Sequence, residues 1–237
     1  MERYTEGCLV CGAEIVYSDQ PERRECFYCG QAGDTNAACQ AGHYVCDTCH
    51  AEPGFAFISQ QALAYQNTDP VDLATQIMRD KTINMHGPEH HFIVVSALLA
   101  SYRNAGGEID LPSALHVAFS RASSVPGGAC GFWGSCGAGV STGIFISVVT
   151  GATPLSEQEW SLANLMTSQS LNTICQHGGP RCCKRNTWLA ITQAIDYVEE
   201  HLNLSMIHSE KTICEFSSRN QQCRKARCLF HPEHLEA

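Results

Sequence analysis

The sequence predicts a mainly α fold, a helical bundle core preceded by an N-terminal Cys-rich zinc-knuckle module of short β-hairpins. Residues 1–54 are dense in Cys and Gly and short of long apolar periodicity, as in small modules where metal stands in for a core. From residue 69 onward apolar residues recur at helical spacing, behind cap and proline signals that open helices. Strand signals are sparse outside the module. The expected organisation is a zinc-binding module over 1–54, a helical core with a central Cys/His site over 55–210, and a basic Cys-containing tail over 211–237.

The helices follow in order. Asp69-Pro70 opens the first, ahead of Val71, Leu73, Ala74 and Ile77, since Asp caps and Pro suits the first turn. Pro88 opens a buried helix through Ile93, Ala97, Leu98 and Leu99 that ends at Gly106-Gly107. Asp110-Leu111-Pro112 starts another, reaching about residue 123. A glycine-rich loop then feeds a small-residue helix near 138–150, where Ala138, Gly139, Ser141, Thr142 and Gly143 would let a neighbouring helix or a cofactor approach closely. Two longer helices are expected near 155–176 and 184–202, with Cys175 on the apolar side of the first.

Charge and hydropathy exclude several classes. The chain carries 24 Asp and Glu against 15 Lys and Arg, a net charge of -9, which disfavours RNA or DNA as a general partner because neutralising phosphates needs surplus cations. The exception is local: Lys211, Arg219, Arg224, Lys225 and Arg227 face only Glu215, so an anionic partner could dock there. The apolar runs at 92–100 and 144–149 fall short of the ~18–20 residues that cross a bilayer. The opening MERYTEGCLVCG puts charges before any apolar run, unlike a signal peptide. A cytoplasmic protein without a membrane partner is expected. In that reducing setting the chain's 15 cysteines point to metal or redox chemistry rather than disulfides.

The first cysteine group runs Cys8-x2-Cys11-x14-Cys26-x2-Cys29-x9-Cys39-x3-His43-x2-Cys46-x2-Cys49. Eight ligands in four pairs make two tetrahedral zinc sites, because each short turn offers two donors and zinc takes four. Filled sites are structural, since catalysis needs an open position. Spacing leaves the pairing open between consecutive pairs and an interleaved arrangement of the first pair with Cys39 and His43. His50 is a spare donor.

Three words carry the central chemistry. In MHGPEHH, His86, Glu89, His90 and His91 gather at a helix start, where they could move protons or ligate metal. In PGGACGFWGSCGAG, Cys130 and Cys136 lie before a helix whose amino end favours thiolates or anions. In GGPRCCKR, Arg181, Lys184 and Arg185 flank Cys182 and Cys183, which should lower a thiol pKa and hold an anionic substrate. Cys130, Cys136 and one of Cys182 or Cys183 would suffice for a [4Fe–4S] cluster with one open iron. The preferred assignment has Cys182 ligating and Cys183 as nucleophile or sulfur carrier. Cys214-x8-Cys223-x4-Cys228, with His231 beyond, fits a third metal site or second cluster, alone or completed by one central cysteine.

The words HGPEHH, PGGACGFWGSCGA, GATPL, GGPRCCKR and CEFSSRNQQC together resemble a domain-of-unknown-function family of anaerobic bacteria and archaea, some of whose members are joined to a methyltransferase. The resemblance covers most of the chain and includes the CxxCG and GHYVCDTCH words. It implies an anaerobic setting suited to an oxygen-sensitive cluster, and a methyltransferase as partner. The leading expectation is a metalloenzyme of sulfur-transfer, desulfuration or redox type acting on a small anionic or sulfur-containing substrate. The alternatives are a non-catalytic zinc adaptor that recruits RNA or protein, thiol-based redox sensing through Cys182 and Cys183, and a metal-dependent hydrolase built on the HGPEHH histidines.

Overall fold

The computed structural model describes residues 7–208 and 211–235; the expectations for 1–6, 209–210 and 236–237 lie outside them. Most of the chain is helical, and a single antiparallel pair of strands forms the described sheet. Strands β1 (Ile15–Glu25) and β2 (Ala32–Cys39) run from the Ile15↔Cys39 pair to the Glu25↔Ala32 pair. The register breaks between Tyr17 and Glu22, around Pro21, which has no N–H to give to a ladder. Asn36 bridges the break by donating to the Ser18 carbonyl at 2.9 Å.

Helix α1 (Asp47–Ala64) begins inside the cysteine module and continues into the core, where Ile58 and Ala62 are buried. It passes through Pro53-Gly54, the pair at which the module was expected to end. Gly54 brings the helix close to Ile83, whose Cδ1 would lie 2.9 Å from a Cβ there.

Helix α2 (Pro70–Arg79) starts as its sequence dictates, with Asp69 accepting from the N–H groups of Val71 and Asp72. Helix α3 (Glu89–Asn104) is the centre of the bundle, with every residue from Phe92 to Ser101 buried. Helix α4 (Leu111–Ala122) is capped by Asp110. A single turn, α5 (Ala129–Phe132), precedes α6 (Gly137–Thr150), α7 (Gln158–Gln176) and α8 (Cys183–Leu202).

The small face of α6 receives a helix. A Cβ on Gly139 would meet Leu171 at 2.8 Å, one on Gly143 would overlap Thr167, and Thr142 donates to Ser170 Oγ at 2.9 Å. Cys175 corrects an expectation: it is exposed rather than in the core, because α7 buries only Met166, Ser170 and Ile174.

The basic tail is docked on the bundle. Phe216 and Phe230 are buried against Trp188 of α8, with ring centroids 5.9 and 5.0 Å away. The Cys214 N–H donates to the Phe230 carbonyl at 2.7 Å. Arg79 Nε donates to Glu215 at 2.9 Å. The last short elements are two 3-10 turns, Ser217–Arg219 and Lys225–Arg227, and α9 (Pro232–Leu235). Among the described residues no helix is long and apolar enough to cross a membrane.

Candidate metal centres

The hairpin settles the pairing of the N-terminal donors. At its open end Cys8, Cys11, Cys39 and His43 bring their ligand atoms within 4.8 Å of one another, and at its turn Cys26, Cys29, Cys46 and Cys49 do the same. The arrangement is the interleaved one, and both groups could hold a metal ion. Cys11 and Cys39 sulfurs are 3.9 Å apart, Cys29 and Cys46 sulfurs 3.8 Å, and His43 Nδ1 lies 3.4 Å from Cys39 Sγ.

The loops are built for this. Gly12 and Gly30 adopt φ of 72° and 69° and donate to the carbonyls of Cys8 and Cys26, closing both knuckle turns. Backbone N–H groups of Val10, His43, Cys46 and Cys49 reach thiol sulfurs at 3.3 to 3.5 Å. Burial raises Cys26, but the amides of Cys46, Cys29 and Tyr28 outweigh it and bring the thiol down to about 6. Cys39 falls to about 7 by the same contest, with His43 supplying the leading amide.

The second site reaches beyond its own ligands. Cys46 caps α1 by accepting from Cys49 N, and the first turn that follows touches both central loops. Asp47 Oδ2 accepts from Gly127 N at 2.6 Å, and His50 Nδ1 lies 3.6 Å from Glu89 Oε2. From β1, Tyr17 receives a hydrogen bond from Arg181, whose guanidinium sits 5.4 Å from the ring centroid, and packs 6.1 Å from Phe132.

In the core, the amino ends of α3, α6 and α8 come together. A Cβ on Gly137 would lie 2.1 Å from His91 Nε2. Asn186 Nδ2 donates to Cys136 Sγ at 3.3 Å. The Gly87 N–H lies against the Cys183 thiol, which also feels the charge of Cys136, while Cys130 feels Cys136 and Arg181. Cys130, Cys136 and Cys183 therefore share one neighbourhood. Cys182 belongs to another: it lines a cavity with Cys214, Cys223 and Cys228.

The expected lowering of the vicinal thiols does not occur. Burial raises Cys183 to about 12 against the pull of Gly87 and Arg181, and it raises Cys182 against Arg185. Nor do the three cations form one anion clamp. Lys184 is fully buried, with Nζ 3.4 Å from the Met78 carbonyl and 5.0 Å from the Phe216 centroid. Arg185 is 3% exposed and donates to Asn186 and the Pro180 carbonyl. Only Arg181 stands at the rim.

The HGPEHH side chains spread in three directions. His86 Nε2 meets Asn220 and Gln222 of the tail at 3.3 and 3.2 Å. His90 is 1% exposed; its Nδ1 meets the Gly87 carbonyl at 3.1 Å and its Nε2 has no hydrogen-bond partner among the described residues. His91 turns to Gly137. Among the described residues no third donor joins any two of these within 4.8 Å. Burial lowers His86 to about 4 and His90 well below its ordinary value. Glu89 is fully buried, yet its contact with His50 leads the effects that outweigh burial and hold it down at about 2; Lys184 is lowered to about 8 by burial against Glu89 and Cys183. Asp47, Asn186 and Asn220 were missed by sequence reasoning, although Asp47 lies inside the GHYVCDTCH word and Asn220 inside CEFSSRNQQC.

A model of DUF5714, a family of unknown function, matches residues 58–231. The chain belongs to that family. The matched span holds Cys130, Cys136, Cys182, Cys183 and all three tail cysteines, whereas the eight N-terminal ligands precede it. The DUF5714 region is thus the bundle with its convergent helix ends and docked tail. No curated protein and no solved structure matches the chain.

Proposed function

We propose that this protein is a metalloenzyme in which two zinc ions build the N-terminal module and a metal or iron–sulfur centre on the bundle carries sulfur transfer, desulfuration or a related redox step. The zinc reading rests on donor type and spacing. A zinc ion with bonds of ~2.3 Å to sulfur at tetrahedral angles sets its ligands ~3.8 Å apart, the separation found at both N-terminal groups. All eight positions are filled by protein, which makes the zinc structural.

The observation that carries the enzyme reading is the meeting of three helix amino ends on Cys136 and Cys183. Free N–H groups and dipoles there favour thiolate over thiol once a cation binds. Cys130, Cys136 and Cys183 would hold the centre with a position left open for substrate. This reverses the expected roles of the vicinal pair: Cys183, buried and raised to about 12, suits a ligand better than a free nucleophile. His90 Nε2 is a neutral buried acceptor, and Lys184, lowered to about 8, is the proton donor nearest neutrality. Arg181 at the rim suits a small anionic or sulfur-containing substrate. The family resemblance adds a methyltransferase as partner class. The hydrolase reading has less support, because the histidines diverge.

Anaerobic purification with metal analysis and a visible spectrum tests this. Two zinc ions per chain are expected, together with a thiolate-bound chromophore whose spectrum shifts when a small thiol occupies the open position. Cys136→Ser and Cys183→Ser should abolish that shift. A spectrum indifferent to both variants overturns the reading.

A further inference from the structure

The tail cysteines and Cys182 form a constellation that the N-terminal groups put in perspective. Cys182, Cys214, Cys223 and Cys228 line one cavity, together with Arg185 and His231. Their sulfurs do not draw together as the zinc-type donors do: among the described residues the groups with all ligand atoms within 4.8 Å are the two N-terminal ones. A single tetrahedral ion needs the tight spacing. Four thiols that line one pocket but are spaced more widely than this suit a polynuclear centre, in which each cysteine takes a separate metal atom.

Three of the sulfurs already receive hydrogen bonds of the kind that stabilise cluster thiolates. The Phe216 N–H reaches Cys214 Sγ at 3.4 Å, the Lys225 N–H reaches Cys223 Sγ at 3.4 Å, and Asn220 Nδ2 reaches Cys182 Sγ at 3.6 Å. The two 3-10 turns exist in this geometry, each beginning two or three residues after a cysteine. Charge matches as well. Cys214 feels the negative charge of the other three thiolates, and the guanidinium of Arg185 offsets that of Cys182. A buried arginine beside four thiols has a physical purpose if the thiols are ionised and metal-bound.

We infer that Cys182, Cys214, Cys223 and Cys228 bind a [4Fe–4S] cluster, closed by four protein thiolates and separate from the centre at Cys130, Cys136 and Cys183. The observations on which it rests are independent of the enzyme reading. It explains why a polar segment such as SSRNQQCRKARC is ordered on the bundle: the cluster staples the tail to α8 through Cys182. It also places two centres on adjacent residues, since Cys182 and Cys183 share a peptide bond.

The test uses the full chain purified without oxygen. Iron and acid-labile sulfide are counted, and the reduced protein is examined by electron paramagnetic resonance. Cys214→Ala and Cys228→Ser should each lose about four irons per chain relative to wild type, while keeping the two N-terminal zinc ions as evidence of folding. Should those variants fail to fold, alkylation mapping of the wild-type chain replaces them. Cys182, Cys214, Cys223 and Cys228 should resist iodoacetamide until ferricyanide destroys the cluster, then react together. Unchanged iron in both variants, alkylation of these thiols before oxidation, or a third zinc ion removed by the variants overturns the inference. The two readings fail separately: iron lost in the tail variants with no thiol-induced shift at Cys136 sinks only the reactive centre, and the converse pattern sinks only the cluster.

Discussion

Asp47 and Gly127 are joined by a 2.6 Å hydrogen bond from the glycine N–H to the aspartate carboxylate, across the boundary between the cysteine module and the helical core. Asp47 lies one residue beyond the metal-site donor Cys46. Gly127 opens the loop that carries Cys130 and Cys136. A Cβ on Gly127 would lie 2.7 Å from Asp47 Oδ1, so the bare glycine lets the carboxylate approach this closely.

Asp47→Ala should therefore loosen residues 127–131 while leaving the N-terminal metal content intact. The bond is solvent-exposed, so the cost belongs at the low end for a charge-assisted hydrogen bond, about 1.5 kcal/mol. Hydrogen exchange should report it as lost protection in that loop, with α7 and α8 unchanged.

The two N-terminal sites should differ in reach. Cys8→Ala is expected to remove one zinc ion and disturb the open end of the hairpin. Cys49→Ala is expected to remove the other and also to release the first turn of α1, and with it both Asp47–Gly127 and His50–Glu89. Hydrogen exchange over 86–91 and 126–131 should rise in the second variant only. Equal effects in the two would show that the second site does not brace the core.

Gly137→Ala and Gly131→Ala should have opposite signs. Alanine is normally better than glycine in a helix by about 1 kcal/mol. At Gly137 a Cβ would overlap the His91 ring, 2.1 Å from Nε2, and forcing that contact costs about 1–3 kcal/mol, so a net loss is expected. At Gly131 nothing lies within 4 Å, and the short α5 should be stabilised. Thermal melts of the two variants decide the matter.

The α4 cap should be pH-sensitive. The Ser113 hydroxyl, followed by the Ser113 N–H that reaches Asp110 at 3.1 Å, holds the aspartate carboxyl below the ordinary 3.8. The folded state thus binds the proton less readily than the unfolded chain. The stabilisation is complete above the ordinary carboxylate pKa and disappears as pH falls through the lowered folded value. Asp110→Asn keeps a capping side chain and should remove that dependence, visible as a flatter acid limb in melts followed by α4 exchange.

Much of the bundle was legible because its signals are local. Asp69-Pro70 and Asp110 start helices by bonding N–H groups two or three residues ahead, and a reader of the sequence has those partners in view. Helix α1 was not legible, because Pro53-Gly54 reads as an ending and its apolar residues trace no clear stripe. The helix persists because Ile58 and Ala62 are buried in the core, a tertiary compensation that no window of sequence contains. Cys175 misled for a related reason: its neighbour Ile174 is the buried member of that turn.

The sequence by itself determined which residues can bind metal, since Cys-x2-Cys turns and a Cys-x3-His turn present donors in pairs whatever surrounds them. It determined that the tail carries thiols among cations, and where most helices begin. Only the tertiary structure decided how the pairs combine, because each four-donor site draws on loops brought together by the hairpin. It alone decided that Cys182 turns to the tail while Cys183 turns to Cys136. Cys182 is the extended cap residue of α8 and Cys183 its first helical one, so their side chains leave the backbone in different directions, and which thiol group each one meets depends on how α8 sits against α3, α6 and the returning tail.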